Sequence, residues 1–288
     1  MSKPSKNKHR EEKMSASEHF MDTSTAVSFA QHINMMPEHL RAHLKLPRWI
    51  FLDLPYNRKD QAALTDIERQ RFICAVNALN QSTQNQISTY GQLVEIHNVS
   101  SVNHFQHGTP RFLPWHRIYL LVFEQALRGL HPDVTIPYWD WTQSSEQAIP
   151  AWLENFTPTV VTPTQTINVI RAPQSPQDLA NIASNINNIM QLTDFDSFTA
   201  QLEGVHGAVH VWVGGSMSLI RTAPADPIFW MHHANVDRLW WMWQISPQGQ
   251  GKNPNLPGND PTTSPVMDPW QYTEPQTRDI TALGYTYV

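Results

Sequence analysis

Nine of the chain's 14 histidines lie between His97 and His233, and several fall on helical stripes that are otherwise apolar. An unpartnered imidazole is costly in such a place, so the fold must bring these rings together or give each a partner. His206 and His210 are four residues apart, which sets both rings on one face of a helix about one turn apart. Glu203, three residues before His206, overhangs the same face. Gly204 and Gly207 each weaken a helix by roughly 1 kcal/mol against Ala, and glycines kept at that cost leave room for something. His232 and His233 are adjacent, so on a helix their directions differ by about 100° and only one can face a given point. His233 shares its face with Phe229, Asp237 and Trp240.

Helical signals dominate the rest. Thr65-x-x-Glu68 is a capping box, followed by Phe72, Ala75, Val76 and Leu79 at helical spacing. Tyr90, Leu93, Val94 and His97 form a second stripe. A third helix is expected from near Pro114, with His116, Leu120, Phe123 and Leu127 facing inward and Gly129 as its stop. Residues 143–195 read as a long irregular excursion with one helix around Gln177 to Leu192. Two further helices carry His206/His210 and His232/His233, and from Ser246 onward recurrent Pro and Gly suggest a segment wrapping back over the bundle. The expected fold is mainly α, a four-helix bundle core with long irregular loops. Residues 1–25 read as a polar, disordered tail and residues 26–288 as a single domain.

Composition narrows the function classes. At 288 residues with 40 % hydrophobic content the chain can bury a sizeable core. Net charge is -5, with both signs interspersed, which argues against nucleic acid or an anionic membrane as the main partner. No apolar run approaches the ~20 residues of a membrane helix. The N-terminal stretch lacks the apolar core of a signal peptide, so a cytoplasmic protein is expected. Cys74 is the only cysteine, so neither an intrachain disulfide nor a thiolate metal cage is available.

The simplest partition of the histidines is two groups of three: His97, His107 and His116, and His206, His210 and His233. Imidazole sites suit Zn, Cu, Fe or Ni. Structural zinc generally recruits thiolates, and di-iron bundles use Glu-x-x-His twice. Copper is favoured, because neutral imidazoles bind both of its common oxidation states.

Three segments then carry a resemblance. His107-Gly-Thr-Pro-Arg-Phe-Leu-Pro-Trp-His116 is similar to the copper A signature of the tyrosinases, within the type 3 dicopper proteins that include catechol oxidases and haemocyanins. Asp226-Pro-Ile-Phe-Trp-Met-His-His233-Ala-Asn-Val-Asp237-Arg-Leu-Trp240 resembles the copper B signature, and Glu203-Gly-Val-His206-Gly-Ala-Val-His210 matches the segment before it. Pro137-Tyr-Trp-Asp-Trp141 and Leu283-Gly-Tyr-Thr-Tyr287 also agree, so the resemblance runs from about Leu64 to Val288. It implies two copper ions, His97, His107 and His116 as copper A ligands, and His206, His210 and His233 as copper B ligands, with His232 beside them. It implies that Glu203 holds a water near copper B, that Phe229 packs beside the site, and that Ile220 and Val211 border the substrate pocket. Arg117 and Asp237 would be charge partners between helices.

The implied activity is oxidation of o-diphenols to o-quinones with dioxygen as co-substrate, with ortho-hydroxylation of monophenols as an extension. A small phenol is the expected partner, and a copper-delivery protein is compatible with the family; the oligomeric state is open. An o-aminophenol oxidase and a haemocyanin-like oxygen carrier are the alternatives, with a zinc hydrolase more distant. Two departures stand out. Phe105 and Gln106 occupy positions where many eukaryotic members have a cysteine crosslinked to the second copper A histidine, so that crosslink is not expected. Gly207 stands where many tyrosinases have Asn. The chain stops just after the tyrosine motif, so a core active without proteolysis is expected.

Overall fold

The structure, a computed structural model, describes residues 55–84, 86–98 and 105–288. The expected polar tail at residues 1–25 lies outside them. In chain order the elements are β1 (Tyr56–Arg58), α1 (Asp66–Gln81), β2 (Thr83–Gln84), β3 (Ile87–Ser88), α2 (Thr89–Asn98) and α3 (Phe112–Leu130). They continue with β4 (Thr159–Val161), β5 (Thr166–Asn168), α4 (Pro176–Ala183), α5 (Ile186–Ile189), α6 (Phe195–Val213), α7 (Pro227–Ile245) and β6 (Tyr285–Tyr287). Helices α2, α3, α6 and α7 form the bundle that carries the histidines.

Local chemistry sets the helix ends. Thr65 and Glu68 make the capping box of α1, with the Glu68 carboxylate accepting from the Thr65 N–H at 2.8 Å. Asp226 caps α7, accepting from the Ile228 N–H at 3.0 Å, and Pro227 occupies the first turn, where its missing N–H leaves no bond unmade. Arg171 clamps the same carboxylate through two nitrogens at 2.6 and 2.8 Å. Gly214 closes α6 with φ +71°, and a Cβ there would stand 2.5 Å from the Ala172 carbonyl oxygen.

Two expectations are corrected. Gly129 does not stop α3, which runs to Leu130. Its end is His131, held extended by the following Pro132, which excludes the helical conformation from the residue before it. The stretch 143–195 is more ordered than expected, with an antiparallel β4–β5 hairpin and two short helices in place of one. Strands of three residues are too short to show an alternating pattern. The hairpin lies against the bundle at Gly91 of α2, where a Cβ would sit 1.9 Å from the Val161 carbonyl oxygen.

Helix α3 is buried on every side from Phe112 to Leu127, as expected of a helix at the centre of a core. Its aromatic contacts tie the bundle: Phe123 stacks on Trp230 of α7 at 3.7 Å, and the Tyr119 hydroxyl donates to the Leu93 carbonyl of α2 at 2.8 Å. Its buried charges are paired. Glu124 accepts from Arg58 of β1, and Arg117 donates through Nε to Asp237 of α7. Asp237 also accepts from Arg58 at 3.4 Å and from the Tyr285 and Tyr287 hydroxyls at 2.7 and 2.6 Å. Those tyrosines are two apart on β6 and therefore share a face; β6 pairs in parallel with β1, Tyr56 opposite Tyr285. After α7 the chain returns over α3, as expected. The Arg111 guanidinium donates to the Pro261 and Val266 carbonyls, and the Trp115 indole to that of Asp268.

Burial alone would raise the pKa of Asp237, but Arg117, Arg58 and the two tyrosine hydroxyls more than offset it and hold the carboxyl below its ordinary value. A depressed folded pKa contributes stability above the unfolded pKa, and that contribution is lost as pH falls through the folded value. Asp237→Ala should therefore destabilise the protein by about 3–5 kcal/mol, the cost of leaving buried guanidinium groups unpaired. Chemical denaturation at neutral pH checks this; a midpoint equal to that of the wild type would show the cluster carries no stability.

Candidate metal centre

His97 ends the buried stripe of α2, His116 lies one turn into α3, and His107 belongs to the segment just before α3. One ring nitrogen from each lies within 4.8 Å of the others. The Nε2 atoms of His97 and His116 are 3.4 Å apart, and the His107 ring stands edge-on to both, with centroids at 5.0 and 5.1 Å. On the other side, α6 presents His206 and His210 and α7 presents His233. The His233 Nε2 lies 3.1 Å from that of His206 and 3.3 Å from that of His210. The two groups meet where the His116 and His233 rings stack, 4.6 Å apart and 14° from parallel.

The other nitrogen of four of these rings faces a backbone carbonyl. His97 Nδ1 is 2.9 Å from the Ile220 oxygen and His116 Nδ1 is 2.8 Å from that of Phe112. His206 Nδ1 is 3.2 Å from the Glu203 oxygen and His210 Nδ1 is 2.9 Å from that of Met217. A carbonyl only accepts, so Nδ1 carries the proton and donates, and Nε2 keeps its lone pair. Burial first, then the neighbouring imidazoles, holds His97, His116, His206 and His233 well below the ordinary histidine pKa. Burial likewise lowers His210 to about 4.

Neutral rings with lone pairs pointed at one another repel unless a cation lies between them. The observed separations of 3.1–3.4 Å match the roughly 3.3–3.4 Å between two nitrogens bound tetrahedrally at ~2.0–2.1 Å from one ion. The donor set therefore fits two ions, each held by neutral imidazoles.

His232 also offers a nitrogen within 4.8 Å of one on each of His206 and His210. Its Nδ1, however, accepts from the Trp141 indole at 2.9 Å, so its tautomer is the reverse of the others. Its ring lies parallel to that of His206, 5.1 Å away. The 3.1 and 3.3 Å approaches belong to His233.

Glu203 accepts from the Gly108 N–H at 2.8 Å, joining α6 to the residue after His107. Burial raises its carboxyl to about 7 against the opposing pull of that bond. A cavity of about 270 Å³ opens beside the rings, lined by His97, His107, Glu203, Gly207, Val211 and Ile220 among others. Val211 and Ile220 are 56 % and 46 % exposed, which places them at the mouth. Phe229 packs behind the rings, its centroid 4.1 Å from that of His233 and 5.2 Å from that of His97. The six expected ligands, Glu203, Gly207, Val211, Ile220 and Phe229 are thus gathered around one site.

Phe112 was not among them, and it is central. Its ring lies 4.7 Å from His116 and 4.9 Å from His206, between the two groups, and its carbonyl orients His116. Its place in the Phe-Leu-Pro-Trp-His run was the available signal. The Met217 and Ile220 carbonyls left no signal, because backbone acceptors are not written in side-chain identity.

Comparison with known proteins agrees with this geometry. The family described as the common central domain of tyrosinase matches residues 87–173 and 157–246. A tyrosinase of Streptomyces glaucescens is 30 % identical over 262 residues, covering 76 % of this chain and 93 % of that protein. Grixazone synthase of Streptomyces griseus is 28 % identical over 306 residues, covering 80 % and 98 %. Among solved structures, a functional unit of octopus hemocyanin superposes with a TM-score of 0.68 at 27 % identity, covering 81 % of this chain and 68 % of that one. With two histidine triads set for a pair of ions and these matches over most of its length, the chain belongs to the tyrosinase family of type 3 copper proteins.

Proposed function

We propose that this protein oxidises o-diphenols to o-quinones at two copper ions, one held by His97, His107 and His116 and the other by His206, His210 and His233. The observation that carries this is the convergence of neutral Nε2 lone pairs at 3.1–3.4 Å beside a cavity open to solvent. When bound, the coppers supply two-electron redox chemistry with dioxygen and Lewis acidity toward the phenol oxygens. Two diphenols release two electrons and two protons each, and one dioxygen takes them up as two waters.

The chain's own residues then orient the substrate. An apolar cavity of about 150 Å³ holds a benzene ring, so 270 Å³ admits one substituted phenol. Phe229, fully buried, backs the His97 and His233 rings, and Val211 and Ile220 flank the way in. Their exposure favours turnover over reversible oxygen carriage, since a carrier must keep phenols out. Glu203, raised to about 7, is balanced near neutral pH to take a hydroxyl proton through a water.

Gly207 sets the balance of activities. A monophenol must lose its proton before its oxygen binds metal, and a side-chain amide beside His206 would help orient the water on Glu203. Glycine lacks one, so diphenol oxidation should exceed monophenol hydroxylation, with a lag on monophenols. A matched assay of a monophenol, its o-diphenol and an o-aminophenol on copper-loaded protein tests the substrate class; no oxidation of any of the three would defeat the reading.

Four variants test the residues. His210→Ala should lower the copper content from two ions per chain and abolish turnover; full activity with two coppers would remove His210 from the ligand set. His233→Ala should lose copper while His232→Ala retains it, and equal loss from both, or loss from His232→Ala alone, would reverse that choice. Among the described residues nothing stands within 4 Å of a Cβ built on Gly207, so Gly207→Asn should fold normally and raise the monophenol-to-diphenol rate ratio. An unchanged or lower ratio at full copper loading would place control of hydroxylation elsewhere.

A further inference from the structure

Behind Glu203 lies a second cavity of about 410 Å³, lined by Gly108, Thr109, Asp196, Thr199, Glu203 and Gly204 among others. Glu203 lines both cavities, so the two meet at that residue. One carboxylate oxygen, Oε1, is held by the Gly108 N–H at 2.8 Å. Among the described residues no hydrogen-bond donor is found on Oε2.

Thr199 sits one turn before Glu203 on α6. It is 4 % exposed, yet among the described residues its hydroxyl has no hydrogen-bond partner. A threonine inside a helix commonly returns its hydroxyl to the carbonyl four residues back; this one does not, and it lines the second cavity. A buried hydroxyl with no partner is unfavourable, and such groups are usually satisfied by ordered water. Side chains four apart on a helix have Cβ atoms about 5–6 Å apart, a gap that one water can bridge. The helix surface alongside is open: among the described residues nothing stands within 4 Å of a Cβ built on Gly204.

We propose that Thr199 Oγ1 and Glu203 Oε2 together hold a water in this second cavity, and that water reaches the phenol pocket by this route, away from the mouth at Val211 and Ile220. Thr199 is then a positioning residue, acting only through the water it keeps on Glu203. Its kinetic consequence rests on the proposed phenol oxidation; the water site itself does not.

Crystal structures of the purified wild type, Thr199→Val and Thr199→Ser, with the hydration resolved, test the site directly. The wild type and the serine variant should show a water bonded to both the residue-199 hydroxyl and the Glu203 carboxylate, and the valine variant should not. On copper-loaded protein with an o-diphenol, Thr199→Val should lower kcat on the order of fivefold, the size of one hydrogen bond. KM should not change, and Thr199→Ser should restore the rate. Gly204→Leu, which fills the cavity from a position with free space, should lower kcat in the same way. A dry cavity in the wild type, or a Thr199 hydroxyl bonded back to the Phe195 carbonyl, would overturn the proposal. So would an unchanged kcat in Thr199→Val, or a loss that serine does not rescue. A resolved water in a protein that oxidises no phenol would instead refute the phenol-oxidase reading and leave the water site standing.

Discussion

The buried carboxylate of Asp237 ties three other elements of the fold to α7. It accepts from Arg117 on α3, from Arg58 on β1 and from Tyr285 and Tyr287 on β6. Arg117 follows His116 directly, and Asp237 lies one turn beyond His233. The cluster therefore fixes how far α3 and α7 slide past each other, and that offset decides whether the His116 and His233 rings can stack at 4.6 Å. A buried ion pair is weak as a source of stability but strict about geometry. Here the strictness serves two sets of rings that must meet within a few tenths of an ångström.

A second constraint acts on the rings themselves. Backbone carbonyls at Phe112, Glu203, Met217 and Ile220 take the Nδ1 protons, so the tautomer and ring plane are set before any ion arrives. The Met217 and Ile220 acceptors lie between α6 and α7, in a segment that also builds one wall of the cavity. One stretch of chain thus orients a histidine from each triad and shapes the substrate's way in, which couples metal geometry to pocket shape.

Helix α6 pays in packing for the openness of the site. Its face carries Gly204 and Gly207, with free space over both, and Thr199 lines the second cavity with an unmatched hydroxyl. The stability lost there is balanced by α3, buried on all sides, and by the Trp230–Phe123–Tyr90 cluster that packs it against α7 and α2. Rigid support on one side and an open helix face on the other suit a centre that must hold ions firmly while small molecules come and go.

The bundle helices, the cap at Thr65 and the pairing of His206 with His210 were legible in the sequence because they depend on neighbours within one or two turns. The capping box at Thr65, the stripe ending at His97 and the 100° divergence of His232 from His233 are all local consequences of helix geometry. The end of α3 was misread at Gly129 although a local cause, Pro132 after His131, was present and outweighed it. The β4–β5 hairpin stayed hidden because three-residue strands leave no period to detect. What tertiary structure alone decided is everything made by groups far apart in the chain. It chose the carbonyls that hold the Nδ1 protons, the seat of Phe112 between the triads, the Gly108–Glu203 bond, and the Trp141 indole that turns His232 the other way. Those partners are selected by packing, and backbone acceptors carry no side-chain signature by which a sequence could announce them.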